Sequence, residues 1–179
     1  MATLDEESEK QAPHSINVAG AALWGIAATT LLTSLMRGLQ AAGVTRMDLP
    51  LMLGTMVMPD RDRAKLVGFI MQFVGGFGFA FGYAAIFESW RKANVWLGAV
   101  LGFVHGAFVL TAALPILPGI HPRMASEFSG PEPTASLEPP GFMASNYGRG
   151  TPVVTMIAHV LFGSILGAFY RISKSDTQP

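Results

Sequence analysis

The stretch NVWLGAVLGFVHGAFVL, residues 94–110, is an apolar run that holds one histidine, His105, among glycines spaced four residues apart. If the run is helical, Gly98, Gly102 and Gly106 lie on one face of it. The run contains no charged residue and extends to about 20 residues, which is enough to cross the hydrocarbon core of a bilayer. It therefore predicts a transmembrane helix with one glycine-lined face.

Three other stretches of similar length also lack Lys, Arg, Asp and Glu. Together the four stretches predict spans at about 17–36, 66–87, 95–114 and 152–170. Half of the chain is hydrophobic and only 13% is charged, which is unusual for a soluble domain. We therefore expect an all-α, multi-pass membrane protein in which four transmembrane helices pack as a bundle.

The ends of the chain differ in composition from the spans. Residues 1–15 and 172–179 are polar tails that flank a transmembrane domain at 16–171. The first tail contains the acidic segment LDEESEK, whereas a cleavable signal peptide begins with a basic segment, so we expect the first span to remain in the mature chain. An even number of spans predicts that both termini lie on the same side of the membrane.

The segments that connect span 1 to span 2 and span 3 to span 4 contain patterns that predict their local structure. Asp48 is placed to cap a short helix with Pro50 in its first turn, so residues 47–58 predict a short interfacial or re-entrant helix. Residues 115–150 contain seven prolines and predict a long loop in which little of the chain is regular helix.

A weak internal repeat relates the first two spans to the last two. A shift of 77 residues places Gly25 on Gly102, and a shift of 87 places Gln72 on His159. This predicts two helical hairpins of the same direction, related by an axis near the membrane normal. Chance similarity among Gly- and Ala-rich apolar helices is the alternative.

Glycines spaced four residues apart occur in three of the four spans. Lipid tails are as apolar as leucine, so membrane helices associate by the close packing that small residues permit. The glycines are therefore predicted to line helix contacts. They are Gly78, Gly82, Gly98, Gly102, Gly106, Gly163 and Gly167.

Gln72, His105 and His159 are polar residues inside spans, at depths that allow one intramembrane cluster. Three interpretations remain open: hydrogen bonds that join helices, a proton or small-solute pathway, and haem or metal ligation by the two histidines. Because two histidines alone are a weak indication of a bound group, no metal or cofactor is predicted.

Loop residues at one end of the spans have mixed charge and are expected to form a mouth above this cluster. A solvated helix cap is the alternative for the first four of them. They are Asp60, Arg61, Asp62, Arg63, His121, Arg123 and Glu127.

Several function classes receive no support. The 12 basic and 12 acidic residues balance, so nucleic acid is not an expected partner. The chain has no cysteine, which excludes disulfides and thiolate chemistry. No catalytic motif occurs, so we do not expect an enzyme.

Three segments carry a family resemblance: GIAATTLLTSLMRGL (25–39), RMDLPLMLGTM (46–56) and GFIMQFVGGFGFAFGYAAIFE (68–88). Over about 20–170, the pattern resembles bacterial integral membrane proteins of the YagU-like, domain-of-unknown-function type. The resemblance implies four membrane helices in a bacterial inner membrane. It indicates almost nothing about activity, since the family is largely uncharacterised. This chain has Gln72 where that type often has histidine.

Two functions are compatible with these features. The first is a non-catalytic subunit, structural or accessory, that packs in the lipid bilayer against other membrane proteins or itself within a larger, energy-converting assembly. The second is a small transporter or channel-like protein with Gln72, His105 and His159 on its path. Basic residues number five on the side of the termini and seven on the other, which does not decide the orientation.

Overall fold

The computed structural model of the chain describes residues 15–125 and 137–173. These ranges contain six α-helices, a π-helical turn at Val109–Ala113, a 3-10 helix at Phe142–Tyr147 and no β-strand. The expected all-α fold is confirmed. The helices are α1 (Val18–Ala41), α2 (Leu49–Thr55), α3 (Arg61–Ser89), α4 (Val95–Phe108), α5 (Leu114–Ile120) and α6 (Thr151–Phe169).

Four helical stretches are long and apolar enough to cross a membrane, which confirms the predicted four-span bundle. They are α1, α3, α6 and the continuous stretch from α4 through the π turn to α5. Helix α3 begins before the predicted span because Asp60 caps it, accepting a hydrogen bond from the Arg63 amide at 2.9 Å. Of the predicted tails, 1–14 and 174–179 lie outside the described residues.

Helix α6 is the most buried span and packs against both α1 and α4. It runs antiparallel to α1, since Asn17 meets Tyr170 at one end and Thr45 meets Thr151 at the other. We call these the terminal end and the loop end of the bundle. The hydroxyl oxygens of Ser15 and Ser173 lie 3.1 Å apart, so the described chain ends meet at the terminal end.

The contact between α4 and α6 is made backbone to backbone. A Cβ added at Gly98 would lie 2.1 Å from the Gly163 carbonyl oxygen, and one added at Gly167 would lie 2.2 Å from that of Asn94. Such distances leave no space for any side chain, so the predicted role of these glycines agrees with their position. The same holds for Gly102, whereas Gly106 is in a looser contact, with side-chain atoms of Met156 and His159 at 3.0–3.1 Å from an added Cβ.

Gly78 and Gly82 line no contact within the described chain, unlike the other glycines of the predicted set. Both are exposed, and no described atom lies within 4 Å of a Cβ added at either. Helix α3 instead turns a different face towards α1, on which Gly76 lies against Thr29. Spacing defines a helix face, but it does not say which face a neighbour covers.

The two hairpins, α1 with α3 and α4 with α6, run in the same direction, as the repeat predicts. Their registers differ, however. In the first hairpin Gly25 faces Ala80. The two shifts relate Gly25 to Gly102 and Ala80 to Gly167, so the same register in the second hairpin would place Gly102 opposite Gly167. Gly102 instead lies against Gly163, one helical turn away. Glycines on both helices of the second hairpin permit a closer approach and hence a different interdigitation.

The third span and the loop after it also differ from expectation. The span continues through the π turn and α5 to Ile120, so part of the predicted loop 115–150 is helical. Pro115 directly follows the π turn inside this stretch, where it has no N–H to donate to the preceding turn. Residues 126–136 of the loop lie outside the described ranges.

The predicted short helix after the first span forms as α2. Asp48 Oδ1 accepts a hydrogen bond from the Leu51 amide at 3.1 Å, and Pro50 lies in the first turn. Helix α2 packs on the start of α3, where a Cβ added at Gly68 would lie 1.6 Å from the Pro50 carbonyl oxygen. This contact closes the loop end of the bundle beside α1 and α3.

Candidate functional site

The structure brings the half-buried His105 of α4 against the buried His159 of α6. Their ring centroids lie 4.7 Å apart, and the rings meet edge to face at 80°. His159 Nδ1 lies 2.8 Å from the Thr155 carbonyl oxygen. Because a carbonyl only accepts, this nitrogen bears the proton and donates it. The Tyr83 hydroxyl lies 3.4 Å from His105 Nδ1, so each imidazole has a partner.

Aromatic rings cover this histidine pair. Phe79 lies against His105 with centroids 3.9 Å apart, and Phe162 contacts both His105 and Tyr83. The close edge-to-face contact leaves no room for a porphyrin between the two imidazoles, so a bis-histidine haem does not fit this arrangement. The described residues also contain no group of three or more His, Cys, Asp or Glu that could hold a metal ion.

Gln72 belongs to a different polar group, which corrects the expectation of one cluster. Its Nε2 donates to Thr33 Oγ1 at 2.7 Å, and that hydroxyl donates to the Thr29 carbonyl oxygen at 2.7 Å. Gln72 therefore lies in the α1–α3 contact, whereas the histidines lie between α4 and α6. The predicted depths allowed one cluster, but Gln72 faces α1 whereas the two histidines face each other between α4 and α6.

His121 and Arg123 do not form part of an open charged mouth. His121 is buried, and its Nε2 donates to the Met52 carbonyl oxygen at 2.9 Å while its Nδ1 accepts from the Arg123 amide at 3.0 Å. The Arg123 guanidinium donates to the Thr55 carbonyl oxygen at 2.6 Å. Both side chains thus hold the chain after α5 against α2. The mixed-charge mouth is corrected to a packed junction.

The other predicted mouth residues lie at the start of α3. Asp60 caps the helix, which agrees with the alternative of a solvated helix cap for these charged residues. Arg61, Asp62 and Arg63 are exposed in its first turn. Glu127 lies outside the described residues.

A small cavity adjoins Gln72 at the loop end, between α1, α2 and α3. It has a volume of about 10 Å³ and is lined by Thr33, Gln72, Arg37 and Asp48 among other side chains. Arg37 and Asp48 form an ion pair with a long N–O distance of 3.6 Å. The cavity therefore connects a charged pair at the loop end with a buried amide.

Glu88 is a buried charged residue that the sequence analysis did not single out. It is only 2% exposed. Its Oε1 accepts from the Tyr170 hydroxyl at 2.8 Å and the Ser173 amide at 2.7 Å, while Arg91 binds Oε2 at 3.0 Å. The Tyr170 oxygen in turn accepts from the Asn17 amide at 3.0 Å. Glu88 thus joins α3 to the segment after α6 and, through Tyr170, to Asn17. The feature of the sequence that could have indicated this residue is a carboxylate at the end of a span.

This network changes the acidity of a tyrosine just past α6. Burial, and then the hydrogen bond to Glu88, raise the pKa of Tyr170 to about 12. At the loop end, burial likewise raises the pKa of Tyr147 to about 12. Both phenols therefore stay protonated, as hydrogen-bond donors, well above neutral pH.

Comparisons with protein-family models, with curated proteins and with solved structures found no match for this chain. Its function is therefore inferred from the geometry of its own residues.

Proposed function

We propose that this protein is a non-catalytic membrane subunit that packs against other membrane helices, either those of partner proteins or those of a second copy. The observation that supports the proposal is an uncovered glycine face on α3. Gly75, Gly78 and Gly82 are all exposed, and a Cβ added at any of them would meet no described atom within 4 Å.

These three glycines form a shallow groove along the helix. Their spacings of three and four residues place them on one side of α3, with Val74 on one flank and Phe79 on the other. Glycine offers lipid little contact surface but lets another backbone come close. The same chain uses glycines in this way between α4 and α6, where no side chain fits.

The interior polar groups support a structural role. His105 and His159 pack against each other under aromatic rings, and His159 spends its Nδ1 proton on its own helix. Glu88 accepts hydrogen bonds from Tyr170 and Ser173 after α6 and pairs with Arg91. The ring contact joins α4 to α6 and the Glu88 bonds join α3 to the segment after α6, which supports the first of the three interpretations open from the sequence.

The resemblance to bacterial membrane proteins extends the proposal to a bacterial inner membrane. There the chain would be an accessory part of a larger assembly, such as an energy-converting complex.

Cysteine cross-linking in native membranes tests the proposal, because the natural chain has no cysteine. We expect Gly78→Cys and Gly82→Cys to give discrete cross-linked products with another membrane protein or with a second copy. Thr30→Cys, on an exposed position of α1, is the matched control and should give none. Equal cross-linking from both helices, or none from α3, would contradict the proposal.

A small transporter is the second candidate, and the cavity between Gln72 and the Arg37–Asp48 pair favours it. This function requires a flux of protons or small solutes into proteoliposomes that is lost in Gln72→Leu. If flux is absent, or is unchanged in a folded variant, the transporter function is wrong.

A further inference from the structure

A groove lies on the outside of the bundle at the terminal end, between the start of α1 and the end of α6. Its volume is about 410 Å³, within the range of about 300–1,000 Å³ that is typical of small-molecule sites. Its lining comes from α1, α6 and the residues beside them, with no contribution from α3. The groove is therefore separate from the glycine face on which the proposed function rests.

The lining of the groove changes from polar to apolar with depth. Asn17 and Arg171 lie where the two spans end, whereas Leu23 and Trp24 lie six and seven residues further along the chain. At a rise of 1.5 Å per residue, the apolar part is about 10 Å below the polar part. Trp24 stacks on Phe169 with ring centroids 4.5 Å apart, and both rings line the groove. A ligand that fills it therefore has a polar head and an apolar tail.

The Arg171 guanidinium is the charged group that is available to bind such a head. Asn17 Nδ2 donates to the Arg171 carbonyl oxygen at 2.9 Å, which fixes the main chain of the arginine beside the start of α1. Asn17 Oδ1 is already occupied by the Gly20 amide at 2.9 Å. Arg171 is exposed, and its guanidinium has no hydrogen bond or ion pair with the described chain.

The charges at the terminal end favour an anionic head. Among the described residues of this end, Glu88 is the only carboxylate, and it is buried and bonded to Arg91 and Tyr170. Lys92 and Arg171 add two further cations, and no acidic residue lines the groove. A guanidinium binds phosphate oxygens with two parallel hydrogen bonds, which are stronger than those of a neutral donor.

We propose that this groove is a binding site for one anionic phospholipid, with its phosphate on Arg171 and an acyl chain along Leu23, Trp24 and Phe169. A phospholipid satisfies both parts of the groove, because at the end of a span its phosphate lies at the membrane surface while its chain lies in the hydrocarbon. Basic pockets between transmembrane helices bind anionic headgroups in this way. The bound lipid then bridges α1 and the segment after α6.

Quenching of tryptophan fluorescence by brominated lipids tests the site in the full-length chain. A variant with Trp90→Phe and Trp96→Phe keeps Trp24 as the reporter. The matched control, with Trp24→Phe and Trp90→Phe, keeps Trp96, which is 80% exposed at the same end and does not line the groove. Each variant is reconstituted in unbrominated phosphatidylcholine with small amounts of brominated phosphatidylglycerol or brominated phosphatidylcholine.

The anionic lipid should quench Trp24 at a lower mole fraction than the zwitterionic lipid does. We expect a difference of about fivefold, as one basic side chain at the membrane surface provides. The two lipids should quench Trp96 at nearly equal mole fractions. Equal quenching of Trp24 by the two lipids would overturn the proposal.

Substitutions on the single-Trp24 background identify the groups that bind the lipid. Arg171→Gln should abolish the preference for the anionic lipid. Lys92→Gln is its matched control, because Lys92 is exposed at the same end but does not line the groove, and it should leave the preference unchanged. Ala168→Phe places a ring in the groove while Arg171 remains, so it should also remove the preference.

Two further outcomes would show that the proposal is wrong. An equal loss of preference in Arg171→Gln and Lys92→Gln would indicate a general attraction of anionic lipid to a basic surface. Inorganic phosphate, compared with chloride at the same ionic strength, should leave the preference intact. If phosphate alone abolishes it, the site binds the free anion rather than a lipid.

Discussion

Gly102 lies directly against the main chain of His159, so close that an added Cβ would be 2.3 Å from the His159 carbonyl oxygen. The same two helices bring His105 and His159 into edge-to-face contact. The backbone contact and the side-chain contact therefore occupy the same level of the bundle, and the tight glycine face is what allows the two imidazoles to meet.

Gly102→Leu should be far more damaging than His105→Gln. The leucine forces α4 and α6 apart and should lower the free energy of unfolding by about 3 kcal/mol or more, as severe overpacking does. Glutamine retains a polar group that Tyr83 can reach, so we expect a change below about 1 kcal/mol. Thermal unfolding in mild detergent measures both, with Gly78→Leu as the control at an exposed glycine. A more severe loss in His105→Gln would indicate that the imidazole has a role beyond packing.

Glu88→Ala should release the C-terminal segment from the bundle. It leaves the Tyr170 hydroxyl and the Ser173 amide without their acceptor, at a cost of about 1–3 kcal/mol each when they remain buried. Limited trypsin digestion should then cleave after the exposed Arg171 faster than in the wild type. Ser89→Ala is the neighbouring control, because that hydroxyl bonds only within its own helix. Equal cleavage rates in the two variants would argue against the network.

Stability should decline in alkaline solution, in the window set by the tyrosines. The pKa of Tyr170 is raised to about 12 from an unfolded value of 10, so the folded state retains a proton that the unfolded state loses. The stabilisation is therefore complete below pH 10 and is lost as the pH rises through about 12. Tyr147 behaves in the same way. Tyr170→Phe and Tyr147→Phe should each reduce the decline in unfolding midpoint between pH 10 and 12, and an undiminished decline in both would contradict this origin.

His121→Ala should loosen α2 from the chain that follows α5. The change removes the donor to the Met52 carbonyl oxygen and the acceptor of the Arg123 amide. Because both groups are at least partly buried, we expect a loss of about 1–3 kcal/mol in unfolding free energy. Hydrogen exchange should rise in α2 while α4 and α6 remain protected. Uniform protection across the chain would show that His121 does not hold this junction.

The sequence alone determined the number and approximate position of the spans. In lipid every backbone polar group must be paired within the segment. A charge-free run of about 20 residues that crosses the bilayer is therefore helical. Local chemistry was equally decisive at α2, where Asp48 caps the helix and Pro50 occupies its first turn. These features depend on neighbours in the chain and on the solvent, both of which can be read from the residues in order.

Only the tertiary structure decided which of these features meet. Gly78 and Gly102 have the same four-residue spacing, yet Gly102 lies against α6 and Gly78 against nothing in the described chain. Likewise Gln72 pairs with Thr33 rather than with the histidines, and Glu88 binds the segment that follows α6. Periodicity assigns a residue to a helix face. Which neighbour covers that face depends on how the four helices rotate and slide against one another, and this packing is determined by all of their contacts together.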